Sequence, residues 1–458
     1  MEWNKGPVRK SASIMIIVLV AVISAASAGE VRTSEMYSWE TQHAKPTPSG
    51  DLEWTPEPFM FKVGSSLRYI DFEKGRDSNS GTSKDSAWKH HPWDSKATSV
   101  AAACTGIHTY VFKRGAYYRG SLTVRDAGRP GEPIRLTSDP SWGDGEAVIC
   151  GSEALTSGWR KGADHRDIPE KGKVWHRDIP FAPRNVWMVD GDEITRIPLA
   201  RTPNWKVANE DDVKSQWWHW DYPNMKHFDN YIQSPSGRKL HLGVDSVHIK
   251  GDPEYFRGAL VWSEYGWVMG CPYPTYVEVV DIAKNGIGFA GQWGGAGSYK
   301  IVRHCRYFLD DKPHYLDDPD GEFWFDKKGS GGRLYLRLPG DRNPNTVRIE
   351  AAKIRTLIDA EAMNHIHITG LTFRFTNVGW DLTAGPYGGS QMSVREETEP
   401  ACIRLAGSGR DIRVSNCLFE HINSPVRIDA RDRGDEVDQV VVSDNEIDRA
   451  DHGGIAIV

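Results

Sequence analysis

Three segments near the end of the chain follow one template: His365-Ile-His-Ile-Thr-Gly-Leu-Thr-Phe373, Asp411-Ile-Arg-Val-Ser-Asn-Cys-Leu-Phe419 and Gln439-Val-Val-Val-Ser-Asp-Asn-Glu-Ile447. Each reads as an alternating apolar strand, a polar corner and an apolar return. A second series interleaves with them: Cys402-Ile-Arg-Leu405, Pro425-Val-Arg-Ile428 and Gly454-Ile-Ala-Ile457, whose equivalent residues lie 23 and then 29 positions apart. Two or three short strands per repeat at such a period are the signature of stacked coils, each paired with the next at ~4.8 Å around aligned apolar side chains. A sandwich has no need of this register. The expected class is therefore all-β, a right-handed parallel β-helix.

The front of the chain fits the same class. Thr109-Tyr-Val-Phe-Lys, Ser121-Leu-Thr-Val-Arg, Pro133-Ile-Arg-Leu-Thr and Glu146-Ala-Val-Ile-Cys alternate or run apolar between Gly- and Pro-bearing turns. Ahead of them a short capping helix is expected over Asp94–Cys104, N-capped by Asp94 or Ser95. Residues 161–360 abandon the period and are rich in aromatics, densest at Gln216-Trp-Trp-His-Trp-Asp-Tyr222. Glu322-Phe-Trp-Phe-Asp326 with Gly332-Arg-Leu-Tyr-Leu336 reads as a hairpin, so this stretch is expected to be an inserted, mostly β subdomain. The expected division is a signal peptide at 1–28, a flexible leader at 29–60, a cap with the first coils at 61–160, the insert at 161–360 and further coils at 361–458. Gly454-Ile-Ala-Ile-Val458 reads as an interior strand without a polar cap, which predicts that C-terminal coils are missing.

Lys5, Arg9 and Lys10, the apolar run Ile14 to Ile23 and Ala26-Ser-Ala28 form a secretory signal peptide. The run is shorter than the roughly 20 residues that span a bilayer, so the expectation is a secreted, extracellular or periplasmic protein without a membrane anchor after cleavage. Lys+Arg 56 against Asp+Glu 62 leaves a net charge of −6, which offers no basic field for nucleic acid. Export would allow disulfides among Cys104, Cys150, Cys271, Cys305, Cys402 and Cys417, but their spacing favours no pairing over buried thiols and carries no zinc signature. A monomer is expected.

Tyr69-Ile-Asp-Phe with Gly75-Arg-Asp-Ser-Asn-Ser-Gly-Thr82, and Tyr110-Val-Phe-Lys-Arg-Gly-Ala-Tyr-Tyr-Arg119, resemble the opening strand and turn and the early coil of the secreted β-helix carbohydrate-active enzymes of the pectate-lyase-like superfamily. Trp187-Met-Val-Asp-Gly191, Leu199-Ala-Arg-Thr-Pro-Asn204 and Leu316-Asp-Asp-Pro-Asp-Gly-Glu-Phe-Trp-Phe-Asp326 are similar to glycoside hydrolase branches within it that include fucosidase, xylanase and xylosidase activities. The resemblance implies a glycosidase without fixing its sugar, polymer binding on one outward ladder of the coils, and a scaffold role for the acidic 317–326 segment.

Alternation places Ile403, Leu405, Val426, Ile428, Ile455 and Ile457 inside and Arg404, Arg427, Asp429 and Ala456 outward. Stacked arginines need carboxylates, solvent or an anionic ligand beside them, and Asp429 is the nearest carboxylate in sequence. Glycoside hydrolysis needs two carboxyls flanking the bond. The catalytic candidates are Asp429 with Asp448 and Asp451, the latter two expected on the corner before the next strand; Asn416, Asp444 and Asn445 read as plain corners. Substrate-binding candidates are Arg404, Arg427, His452, Trp217, Trp218, Trp220 and Asp381, which stands 23 residues before Arg404 in a stretch that also reads as an overhanging loop. The tryptophans suit either a sugar platform or the subdomain core. His421 and His452 lack a paired ligand motif, so no metal site is expected; the acidic run Asp429, Asp432, Asp435, Glu436, Asp438 reads as a solvated loop, with calcium binding as its alternative. A hydrolase acting on polysaccharide or oligosaccharide would need no cofactor. The alternatives are a uronate lyase using the arginines, for which calcium is the possible cofactor, and a non-catalytic adhesin or carbohydrate-binding protein.

Overall fold

The computed structural model describes residues 45–53, 55–204, 216–222, 230–265, 273–290, 301–302, 305–378, 400–451 and 453–458. The chain divides into two compact units, Met1–Thr55 and Pro56–Val458. In the first, Lys45–Pro46 pairs antiparallel with Leu52–Glu53. The second is nearly all β, with one α-helix among the described residues. That helix is Ser99–Ala103 with Thr98 at its N-cap, shorter than the Asp94–Cys104 expected. Asp94 is engaged elsewhere: its carboxylate accepts the Tyr118 hydroxyl at 2.7 Å and the Lys96 amide at 2.9 Å, and this turn delays the helix.

Two sheets are entirely parallel. One orders Leu67–Ile70, Thr109–Phe112, Ile134–Ser138, Ile358–Thr369, Ile403–Ser415, Val426–Asp429 and Ala456–Ile457, with Leu122–Thr123 and Val437–Ser443 joining at its side. The other orders Tyr117–Arg119, Val148–Cys150, Thr372–Arg374, Leu418–Ile422 and Glu446–Ala450. Their registers match the spacings read from sequence: Ile403 lies opposite Val426, and Arg427 opposite Ala456.

Three corners recur with identical spacing and left-handed backbone: His365, Asp411 and Gln439; Gly370, Asn416 and Asp444; Phe375, His421 and Arg449. Asn416 and Asp444 are thus corners, as expected. Gly370 needs its missing side chain, since a Cβ there would lie 2.4 Å from the Phe59 ring. Glu57 also lies on this column, its amide donating to Asp444 at 2.9 Å, so the segment just before residue 60 is tied to the strands rather than loose.

The largest apolar cluster draws on both parallel sheets, including Ile149, Ile366, Phe373, Ile403, Ile412, Phe419 and Ile428. Ile403, Leu405, Val426 and Ile428 are buried, as alternation requires, but Ile455 and Ile457 are exposed because Ala456–Ile457 pairs on one side only. The five described cysteines, Cys104, Cys150, Cys305, Cys402 and Cys417, are free thiols, four of them buried; Cys271 lies outside the described residues.

Between these strands in sequence, the described strands from Ser152–Leu155 to Arg348–Ala352 pair antiparallel. The expected hairpin is present as Glu322–Lys328 paired with Gly331–Arg337. Glu350 joins the two kinds of sheet: wholly buried on an antiparallel strand, it accepts both Arg119 Nη1 and Nη2 at 2.8 Å and the Ser152 hydroxyl at 2.6 Å. No helix among the described residues is long and apolar enough to cross a membrane.

Candidate functional site

Parallel register carries one residue from each of five strands into a row: Thr123, Asp359, Arg404, Arg427 and Ala456. Because side chains alternate, the buried Ile358, Ile403 and Val426 beside them point the other way. Neighbouring strands stand ~4.8 Å apart, so Arg404 and Arg427 would repel without an anion. That anion is Asp359, which takes Arg404 Nε at 2.8 Å and Nη2 at 3.0 Å. Asp429 stands two residues beyond Arg427 on the same strand, opposite Ala406; its carboxylate is 3.8 Å from Arg427, and the residue is 8% exposed. Sequence spacing pointed to Asp381 as the earlier neighbour of Arg404. Asp381 lies outside the described residues, and the strand paired to Arg404 is the one bearing Asp359, 45 positions back. His452 also lies outside them.

The other two catalytic candidates sit elsewhere. Asp448 is not on a corner but within Glu446–Ala450, on the second parallel sheet, opposite Glu420 and 3.5 Å from Arg449. Its strand neighbours carry charge as well, Glu420 being bound by Arg374 at 2.6 Å. Asp451 follows that strand and is held by the antiparallel region, accepting Asn185 Nδ2 at 2.7 Å and pairing with Arg196. Asn377 and Asn423 occupy the equivalent places after the two preceding strands of that sheet, Thr372–Arg374 and Leu418–Ile422. Asn377 Oδ1 accepts the Arg184 amide at 2.9 Å, and Asn423 Nδ2 donates to the Asn377 carbonyl at 3.0 Å. This polar column is where Arg184, Asn185 and Arg196 meet the parallel strands.

The tryptophans separate. Trp220 is buried in the core of the antiparallel region, stacked on Tyr307 at 3.6 Å, and offers no platform. Trp218 has one face covered by His248 at 4.3 Å. Trp217 packs edge-on against Phe308 at 4.7 Å. In the acidic run, Asp435 accepts the Ser408 hydroxyl at 3.0 Å and the Asp432 amide at 2.9 Å, while Asp438 pairs with Arg410 at 3.1 Å. These oxygens face protein donors rather than one point, and no group of three or more His, Cys, Asp or Glu among the described residues is placed to hold a metal ion.

A second cluster has no repeat to reveal it. On one face of an antiparallel sheet, Asp310 lies opposite Arg201 and Leu260, with Phe308 two residues along and Trp262 across from Phe308. Burial pushes the Asp310 carboxyl up to about 7, against the pull of Arg184 and Arg201. Burial likewise lowers the Arg201 guanidinium to about 10. Beneath them the buried Glu322 accepts the amides of Arg201 at 3.2 Å, Asp317 at 3.3 Å and Asp318 at 3.2 Å, and burial raises its carboxyl well above the usual range. Leu199–Asn204 and Leu316–Asp326 are thus fastened to each other; Asn204 Nδ2 also donates to Asp317 at 3.2 Å.

No protein-family model matches the chain, and no curated protein sequence matches it. Among solved structures, one titled "Glycoside hydrolase" superposes with a TM-score of 0.52 at 14% identity, covering 80% of this chain and 65% of its own. That likeness shows a shared fold, and this chain spans a little under two thirds of the length of that structure. A second, titled "The complex structure of XylC with xylose", covers 80% of this chain and 42% of its own, with a TM-score of 0.37 at 13% identity.

Proposed function

We propose that this protein is a secreted carbohydrate-active enzyme that hydrolyses glycosidic bonds in a polysaccharide or oligosaccharide, using a pair of carboxyls on the outward row of a right-handed parallel β-helix. The parallel registers and the three left-handed corners recurring in step support the solenoid. The fold shared with a structure titled "Glycoside hydrolase" is consistent with the class. The signal-like residues 1–28 support export.

The observation that carries the reading is Asp359, Arg404 and Arg427 side by side in the row, with Asp429 two residues beyond Arg427 on the same strand. Two inter-strand steps and a two-residue offset set the Cα atoms of Asp359 and Asp429 about 12 Å apart. Both carboxylates lean inward onto the arginines. That brings them nearer the roughly 6.5–9.5 Å gap of inversion than the 5–5.5 Å gap of retention. One carboxyl then protonates the leaving oxygen while the other activates water, and the arginines orient hydroxyls. Such chemistry needs no cofactor.

The test is a panel of neutral and uronate polysaccharides, followed by reducing ends and by ultraviolet absorbance of unsaturated product. Reducing ends without absorbance, lost in Asp429→Asn, are expected. Absorbance would make it a lyase acting through Arg404 or Arg427, and binding without turnover would make it a carbohydrate-binding protein.

A further inference from the structure

A cavity of about 360 Å³ opens to solvent at the foot of the antiparallel region, where its first and last strands leave the parallel ones. Phe72 and Lys96 line it from the segments on either side of His90, Arg119 from a parallel strand, and Ser152, Glu153 and Lys353 from the antiparallel side. Its volume falls in the roughly 300–1,000 Å³ range of small-molecule sites.

Three of the lining side chains are cations and one is an anion. Glu153 is engaged by Lys353. Lys96 is exposed and makes no ion pair among the described residues. Asp94, two residues before it, is 4% exposed and turns its carboxylate to the Tyr118 hydroxyl and the Lys96 amide. Arg119 is held from behind by Glu350, but Glu350 also lies 3.1 Å from Arg348 Nε, so one carboxylate serves two guanidiniums. Lys96, Arg119, Arg348 and Lys353 therefore outnumber Asp94, Glu153 and Glu350. A cation is repelled here and a neutral ligand leaves the excess standing, whereas an anion balances it. The rest of the wall is apolar, made by Ala154, Ile354 and the Phe72 ring, whose centre lies 5.1 Å from that of Tyr118. A ligand with an anionic group at one end and a C–H face at the other matches both parts, and an acidic sugar is built that way.

We propose that this cavity binds an acidic sugar, with its carboxylate or sulfate among Lys96, Arg119 and Lys353 and a ring face against Phe72. The choice of a sugar rests on the carbohydrate reading; the choice of an anion does not. Arg119 stands four residues before Thr123, which pairs with Asp359 at the start of the outward row. Four residues of chain span at most about 14 Å, so an acidic branch on a saccharide lying in that row reaches the cavity.

The experiment titrates the full-length protein with glucuronate, glucose 6-sulfate, glucose and inorganic sulfate by calorimetry, at low and high salt. Wild type is compared with Lys96→Gln combined with Lys353→Gln, two solvent-reaching positions whose replacement a thermal melt shows to leave the fold intact. Wild type is expected to bind one of the acidic sugars at least about ten-fold more tightly than glucose or inorganic sulfate, and the double variant to lose at least about ten-fold. The affinity should fall as salt rises. Preference for glucuronate assigns the carboxylate and preference for glucose 6-sulfate the sulfate ester, and either supports the site. Glucose or inorganic sulfate binding as tightly as the acidic sugars overturns it, as does unchanged affinity in the double variant. Acidic-sugar binding that depends on the two lysines, in a protein that releases no reducing ends from any polysaccharide, leaves the cavity standing and removes the hydrolase. Reducing-end release without binding of either acidic sugar does the reverse.

Discussion

Arg404 grips Asp359 through two parallel hydrogen bonds, at 2.8 and 3.0 Å, across neighbouring parallel strands. The fork sets the direction of both side chains. Charge neutralisation, orientation and a candidate catalytic carboxyl therefore meet in one contact.

Replacing Asp359 with Asn should reduce release of reducing ends at least about 100-fold, the usual scale for losing an acid or base group. Stability should hardly move, because a partly exposed ion pair contributes about 1 kcal/mol or less. Activity within a factor of about three of wild type, measured beside a thermal melt, would remove Asp359 from the site.

Glu350 makes the opposite case. Replacing it with Ala leaves Arg119 without the carboxylate that binds both its terminal nitrogens in a buried setting, a change that costs roughly 3–5 kcal/mol. Urea unfolding should show a loss of that size. A loss under about 1 kcal/mol would mean that Glu350 does not fasten the antiparallel strands to the parallel ones.

Much of the parallel framework was readable because a period survives in sequence. Ile403 and Val426 stand 23 residues apart there and lie opposite each other in space. The same count points to Asp381, which lies outside the described residues, whereas the residue opposite Arg404 on that side is Asp359, 45 positions back. Asp451 read as a free corner acid because nothing in sequence announces Arg196, 255 positions earlier, as its partner. Asp310 and Trp262 were invisible for a related reason: antiparallel pairing between distant strands leaves no fixed spacing.

Phe373 and Phe419 stack with centres 4.9 Å apart and planes 9° apart, fully buried on adjacent strands. Phe419→Ala should destabilise the fold by roughly 3–5 kcal/mol through lost burial and the cavity left behind. A denaturant titration checks this; a change below about 1 kcal/mol would place Phe419 outside the core.

His421 supplies a pH test. Burial lowers its imidazole to about 4, from the usual 6.5. Between those values the unfolded chain binds a proton that the folded chain does not, so His421 makes stability fall as pH drops from 6.5 toward 4, with no further loss from this group below that. The equivalent corner residue, 46 positions earlier, is Phe375, which has φ 58 against 53 at His421, so phenylalanine is compatible with this corner. His421→Phe should therefore flatten the melting temperature between pH 6.5 and 4 relative to wild type. An identical slope in both proteins would contradict this.

The most direct measurement of the central claim is the initial rate of reducing-end release from a polysaccharide panel, for wild type and Asp429→Asn side by side, with ultraviolet absorbance read on the same samples. The account predicts release by the wild type on at least one substrate, no unsaturated product, and a rate at least about 100-fold lower in the variant. Equal rates in the two proteins, or absorbance rising with product, would contradict hydrolysis at this row of residues.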